Sequence, residues 1–477
     1  MRMTCPHPVQ QEPSPLRKLI LVLFAGLLAG CANFAPPHVR PALPTAADYP
    51  ASLAGDKLPG QRATDISLAQ FLVDPRLEAL VAQALTRNRN LAVAVARIEE
   101  ARGLYRIQNA ERLPTLGASG DVTRSRGQGF SGLETANRYA VGVAVSGFEL
   151  DFWGRVRNLS EAARSEFLAT RQAERAFRLS LIRDVASTYF ASREADERIA
   201  LAEATVRSRR EALRIARRRM DAGVTSALDF RQAESLLTQA ETELAGLKLA
   251  RAQSENFLAL LAGGPVAGPL PAPLPLALQT ATPALAAGLP SDLLVARPDV
   301  LAAEERLRAA RANIGAARAA FFPTISLTGA AGLASTALGA LFGGDALTWS
   351  FGPAISLPIF DGGRNRGNLT VARARENIAV ASYEVTVQGA FREVADALAG
   401  RQYYAEQVAA GSRGVIAARQ IARLAQLRYR EGVASYLEVL DAERTLFAVE
   451  QSLIQLRRAQ ADNLVTLYVA LGGGTAA

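Results

Sequence analysis

Residues 88 to 264 of this chain recur, in outline without gaps, 209 positions later. Pro114-Thr115 returns as Pro323-Thr324, Ala101-Arg102 as Ala310-Arg311, and Gly263-Gly264 as Gly472-Gly473. Gly223-Val224-x-Ser226-x-Leu228 returns as Gly432-Val433-x-Ser435-x-Leu437. Each unit is far longer than a solenoid repeat. Two copies of one long unit in a single chain are suited to building part of a ring or a wall.

Each unit begins with a helical segment, about Asp74 to Leu113 in the first copy, stopped by Pro114. Alternating segments follow. Leu116, Ala118, Gly120 and Val122 share one face, and Gly117, Ser119, Asp121 and Thr123 the other. Tyr139, Val141, Val143 and Val145 stand opposite Ala140, Gly142, Ala144 and Ser146. Period two is the strand signal. Ser125 to Asn137 is expected to be a hairpin loop. The second copy repeats the pattern with Ile325 and Leu327, then with Trp349, Phe351 and Ile355, although Pro353 cannot donate to a ladder.

A long helical run leaves each hairpin. Arg155 to Ala222 holds no Pro and no Gly, enough for roughly 100 Å of helix. Its counterpart, Arg364 to Glu431, carries Gly367, Gly389, Gly400, Gly411 and Gly414, so its continuity is less assured. Each run stops at a Gly turn and a return helix follows. Phe230, Ala233, Leu237, Ala240, Leu244 and Leu247 step by three and four, as do Val439, Ala442, Leu446, Val449, Leu453 and Leu456. This spacing is a coiled-coil seam.

The N-terminus gives an address. Arg17-Lys18 precedes the apolar run Leu19 to Leu28, about half of what a helix needs to cross a bilayer. Leu28-Ala29-Gly30-Cys31 resembles the bacterial lipobox, which implies cleavage before Cys31 and lipid on its sulfur and new amino group. With Ala32 next, outer-membrane delivery is implied. An ordinary export signal is the alternative. Cys5 lies in the removable segment, so the remaining chain offers no internal disulfide. The expected boundaries are a signal at 1–30, a Pro-rich arm at 31–66, the first repeat at 67–264 with its hairpin at 114–149, and a linker at 265–290. The second repeat then takes 291–473, with its hairpin at 323–358, and leaves a tail at 474–477.

Formal net charge is +9, with arginines concentrated in helices, as from Arg207 to Arg219. Stacking aromatics are missing there, which argues against nucleic acid. The only histidines are His7, in the signal, and His38, in the arm. With no Cys/His cluster and no phosphate-binding Gly loop, the expectation is no metal, no cofactor and no enzyme.

Four strands per chain are long enough to cross a membrane, yet the smallest membrane barrels have eight. Open edges are not tolerated in lipid. Copies must therefore pool strands: two give eight, three give twelve. The Gly, Ala, Ser and Thr face favours the wider ring.

The order helix, hairpin, long helix, return helix, given twice, resembles the TolC family of outer-membrane efflux ducts. With the lipobox it is most similar to the OprM/NodT-like lipoprotein branch. Further marks are Glu149-Leu150-Asp151-Phe152-Trp153-Gly154-Arg155 and Pro358-Ile359-Phe360-Asp361-Gly362-Gly363-Arg364, with Asp151 and Asp361 one place out of register. The resemblance covers about residues 60 to 473. It implies a mainly α fold carrying a membrane β-barrel, with an α-helical coiled-coil barrel and twelve strands in a homotrimer. The implied partners are outer-membrane lipid, a periplasmic adapter and an inner-membrane pump of the resistance-nodulation-division class. The implied function is a passive exit duct for drugs or small toxic solutes.

The resemblance also assigns residues. Gly223, Val224, Thr225, Ser226 and Gly432, Val433, Ala434, Ser435 become adapter-docking tips, though a Gly there is equally an ordinary helix cap. Leu437, Glu438 and Asp441, with Tyr429 as a latch, become the periplasmic gate. Clustered acids repel, so closure would need hydrogen bonds or neighbouring cations, for which Arg428 and Arg430 are the candidates. Cys31 becomes the lipid site. Type I protein secretion through the same fold, or a coiled-coil lipoprotein without a barrel, are the rival readings.

Overall fold

The computed structural model describes residues 33–46, 49, 61–129, 132–265, 268–286 and 297–474. Cys31, the signal at 1–30, and parts of the arm, linker and tail lie outside the described residues. In chain order the elements are α1 (Leu68–Phe71), α2 (Pro75–Arg87), α3 (Arg89–Ala110), β1 (Leu116–Gly129) and β2 (Gly132–Glu149). There follow α4 (Arg155–Asp221), α5 (Ala227–Leu261), α6 (Pro298–Ala319), β3 (Thr324–Ser335), β4 (Leu347–Ser356), α7 (Arg364–Arg430) and α8 (Tyr436–Ala470). The chain divides into two compact units.

The first unit takes residues up to 40, 99–168 and 304–381. Its centre is one antiparallel sheet in the order β1-β2-β3-β4. Beneath the strands, Trp153 donates from its indole to the Pro323 carbonyl at 2.7 Å. Phe322 stacks on Trp153 and on Phe34 of the arm, with centroids 4.9 and 4.8 Å apart. The Arg318 guanidinium donates to the Phe34 carbonyl at 2.8 Å. His38 and Arg40 both reach Glu304, at 3.1 and 2.7 Å. Residues 34–40 are thus strapped along α6. Asp151 accepts from the Arg157 amide, and Asp361 from the amides of Gly363 and Asn365. The two aspartates, out of register in sequence, do one job: each satisfies an orphan donor in the first turn of a long helix.

The second unit takes 41–98, 169–303 and 382–477. Its core gathers Leu77, Leu80, Tyr189, Tyr383, Leu398, Leu467 and Tyr468, all at most 2% exposed. Phe71 stacks on Tyr468 at 4.0 Å, and the Tyr468 hydroxyl donates to the Ile66 carbonyl at 2.7 Å. Buried Asp74 caps α2 through the Arg76 amide and also accepts from the Tyr189 hydroxyl and the Gln279 amide, both at 2.6 Å. The linker is thereby pinned to the helices. Along the return helices, Phe230, Ala233, Leu237, Ala240 and Leu247 are buried, as are Val439, Ala442 and Leu453. The seam read from heptad spacing is the packed face.

Two expectations are corrected. The single helix from Asp74 to Leu113 is two, broken at Asn88. There ψ is 126°, and the side chain accepts from the Leu91 amide and donates to the Leu261 carbonyl, offering the backbone a cap instead of another turn. Most of Ser125 to Asn137 is strand rather than loop, because β1 and β2 pair from Leu116↔Val145 to Gly129↔Gly132. The second long helix stands as expected: α7 runs unbroken through its five glycines and matches α4 at 67 residues.

Candidate functional site

Strand register sorts side chains into two faces. Facing pairs put Leu116, Val122, Tyr139, Val141, Val143, Val145, Leu333, Leu347, Trp349, Phe351 and Ile355 on one side. Val122, Trp349 and Ile355 are 74, 77 and 72% exposed, so nothing among the described residues covers this apolar face. Soluble sheets do not leave such a face bare; lipid is its natural solvent. The opposite face carries Ser119, Ala140, Gly142, Ala144, Thr328, Ala330, Gly332, Ser350 and Gly352, with Asp121, Arg138 and Glu134 toward the β1–β2 turn.

Gly142 and Gly332 face each other on the small-residue side. A Cβ on Gly142 would fall 2.7 Å from the Ala331 carbonyl oxygen, and one on Gly332 would fall 2.4 Å from that of Val141. The backbones crowd on this side, as they must where a sheet curls toward it. The small polar face is therefore the inner one. Among the described residues β1 and β4 each pair with one neighbour only, which leaves two open edges. Pro353 lies in β4, an edge strand, where a missing donor is tolerated.

The tips of the helical hairpins are built alike. Gly223 and Gly432 adopt φ of 71° and 72°. Val224 donates to the Arg219 carbonyl and Gly223 to that of Met220; Val433 and Gly432 do the same with Arg428 and Tyr429. These paired bonds form the Schellman cap, which needs a left-handed residue. Ser226 then opens α5 in a capping box with Asp229, whereas the Ser435 side chain makes no cap. Gly223, Val224, Ser226, Gly432, Val433 and Ser435 are exposed, and Thr225 and Ala434 half-buried.

Beside the second tip, Leu437, Glu438 and Asp441 are exposed on α8. Arg428 stands 3.6 Å from Glu438, and Arg444 contacts Asp441 at 2.5 Å. Of the two cations expected here, Arg428 is in place; for Asp441 the partner is Arg444, three residues on along the same helix, a spacing sequence reading could have used. Tyr429 lies 5.1 Å from Tyr436 and accepts a hydrogen bond from Arg219 on the other hairpin. Burial, helped by the negative charge of Glu443, pushes the Tyr436 phenol up to about 12, and burial also raises Glu443. Arg219, Tyr436 and Glu443 were not singled out by sequence, since ordinary helix residues give no signal until two hairpins meet.

A sequence profile of the outer membrane efflux protein family matches residues 80–264 and again 289–473, once per repeat. The solvent efflux pump outer membrane protein SrpC of Pseudomonas putida is 44% identical over 463 residues, covering 95% of this chain and 98% of SrpC. The cation efflux system protein CusC of Escherichia coli K12 is 39% identical over 461 residues, covering 96% and 99%. The open-state crystal structure of the MtrE outer membrane channel of Neisseria gonorrhoeae superposes with a TM-score of 0.85 at 39% identity, covering 93% of this chain and 99% of MtrE. With its duplicated helical hairpins and lipid-suited sheet, the chain belongs to the outer membrane efflux protein family.

Proposed function

We propose that this chain is one of three identical subunits of a passive outer-membrane exit duct, anchored by acyl chains on Cys31 and fed by an inner-membrane pump through a periplasmic adapter. One observation carries the reading: a four-stranded sheet, apolar on its bare face and curled toward small residues, with two open edges. In lipid such edges cost several kcal/mol per unpaired group unless neighbouring copies pair them. Three copies give twelve strands and a ring with room for water inside.

The tips Gly223 to Ser226 and Gly432 to Ser435 serve as adapter-docking points, and Tyr429, Leu437, Glu438 and Asp441 as the gate. Three copies of Glu438 and Asp441 around one axis would repel, and Arg428 and Arg444 offset that repulsion. The strapped arm, with Phe34 against Phe322, suits an anchor held at the base of the strands. Energy comes from the pump.

The cargo is small toxic solutes. SrpC is named for solvents and CusC for cations, yet both are about equally similar to this chain. The duct wall does not select among such cargoes, so the pump does. Purified protein in planar bilayers tests the reading: wild type forms small, ion-conducting channels, and Asp441→Asn raises single-channel conductance severalfold. Unchanged conductance removes Asp441 from the gate, and a monomer without ion flow overturns the duct itself.

A further inference from the structure

A cavity of about 200 Å³ lies between the two hairpin ends, separate from the gate-facing side chains Leu437, Glu438 and Asp441. Thr225 and Ile215 line it from one hairpin; Tyr429, Tyr436, Val439 and Glu443 line it from the other. Its size suits a ligand smaller than a drug.

The polar groups on its wall are unevenly committed. Asp229 is occupied by the Ser226 cap, Glu211 by Arg214, and Arg219 by Tyr429. Among the described residues the Glu443 carboxylate feels the charge of Arg209 but accepts no hydrogen bond, and the buried Thr225 hydroxyl has no partner. Two tyrosine rings stand 5.1 Å apart beside them. A carboxylate lacking a donor, a hydroxyl lacking a partner and aromatic faces together are what recognises an organic ammonium group.

We propose that this cavity binds a small organic cation, a primary ammonium on a compact apolar body, with Glu443 and Thr225 receiving the ammonium and Tyr429 and Tyr436 flanking it. Because the walls come from both hairpins, the ligand binds best when the hairpin ends are together and holds them so. The proposal shares only Tyr429 with the proposed gate; a duct gated elsewhere would still bind.

Calorimetric titration of the purified full-length protein in detergent with benzylammonium chloride tests it. The expected result is saturable binding of one cation per chain, weakened about tenfold by Glu443→Gln and severalfold by Thr225→Val. Glu438→Gln leaves binding unchanged, and neutral benzyl alcohol binds at least about tenfold more weakly. Both Glu443→Gln and Thr225→Val are near-isosteric, and loss of binding counts only where the helical circular dichroism is that of wild type. Absence of saturable binding to wild type, or equal weakening by Glu438→Gln, overturns the assignment.

Discussion

Arg219, two residues before the end of α4, donates a hydrogen bond to the hydroxyl of Tyr429, one residue before the end of α7, and its guanidinium lies 5.3 Å from the centre of that ring. One side chain from each repeat thus ties the two hairpins together. Tyr429→Phe removes the hydrogen bond and keeps the ring under the cation. A charge-assisted bond contributes about 1.5 kcal/mol, so the ratio of closed to open tips should fall roughly tenfold per subunit. Planar-bilayer recording should show longer or larger openings than wild type. Openings of wild-type size and frequency would mean that Tyr429 is no latch.

Gly332 should tolerate no side chain. A Cβ there meets the Val141 carbonyl oxygen at 2.4 Å and the Gly142 Cα at 2.6 Å, both backbone atoms that move only if the strands part. Gly332→Ala should therefore deplete the folded, heat-modifiable oligomer in outer-membrane fractions by severalfold. Gly117→Ala, with nothing within 4 Å, should assemble normally. Equal assembly of the two variants would refute the crowding argument.

Repetition, strand alternation and heptad spacing carried most of the fold, because each reports a face that must be buried and recurs at a fixed period. The break at Asn88 was hidden because its cap depends on the Leu261 carbonyl, 173 residues away. Ser125 to Asn137 looked like loop because it is polar; pairing with a neighbour made it strand, and that pairing has no periodic apolar signature. At the tips, Gly223 and Gly432 were legible from the left-handed conformation that a Schellman cap demands. The Arg219–Tyr429 tie was not, since it depends on how two hairpins meet.

Gly400 illustrates a glycine whose purpose only packing reveals. A Cβ there would sit 2.1 Å from Oδ1 of Asn463, whose amide donates to the Ala397 carbonyl at 2.9 Å. Alanine would gain about 1 kcal/mol of helix propensity. Displacing the Asn463 amide should outweigh that gain, through the lost hydrogen bond and a half-buried amide left unpaired, together about 2–3 kcal/mol. Gly400→Ala should lower the melting temperature, and adding Asn463→Ala should restore much of it. Additive losses in the double variant would contradict this account.

Asp462, on α8, should make stability fall as pH rises. Burial raises its carboxyl from 3.8 to about 6, against the pull of Arg458 and a hydrogen bond from Ser187, with Glu194 adding to the rise. A raised carboxyl holds its proton more tightly in the folded chain than in the unfolded one. Its contribution is therefore complete below the ordinary value and is lost as pH climbs through the folded one. The window is pH 3.8 to about 6, and the loss is on the order of 3 kcal/mol. Asp462→Asn removes the titration while leaving Arg458 its other partner, Glu194, at 2.9 Å. Melting temperatures of both proteins in detergent should converge near pH 4, and by pH 7 the wild type should lie below the variant. Parallel curves across that range would show that Asp462 ionises as freely in the fold as in the unfolded chain.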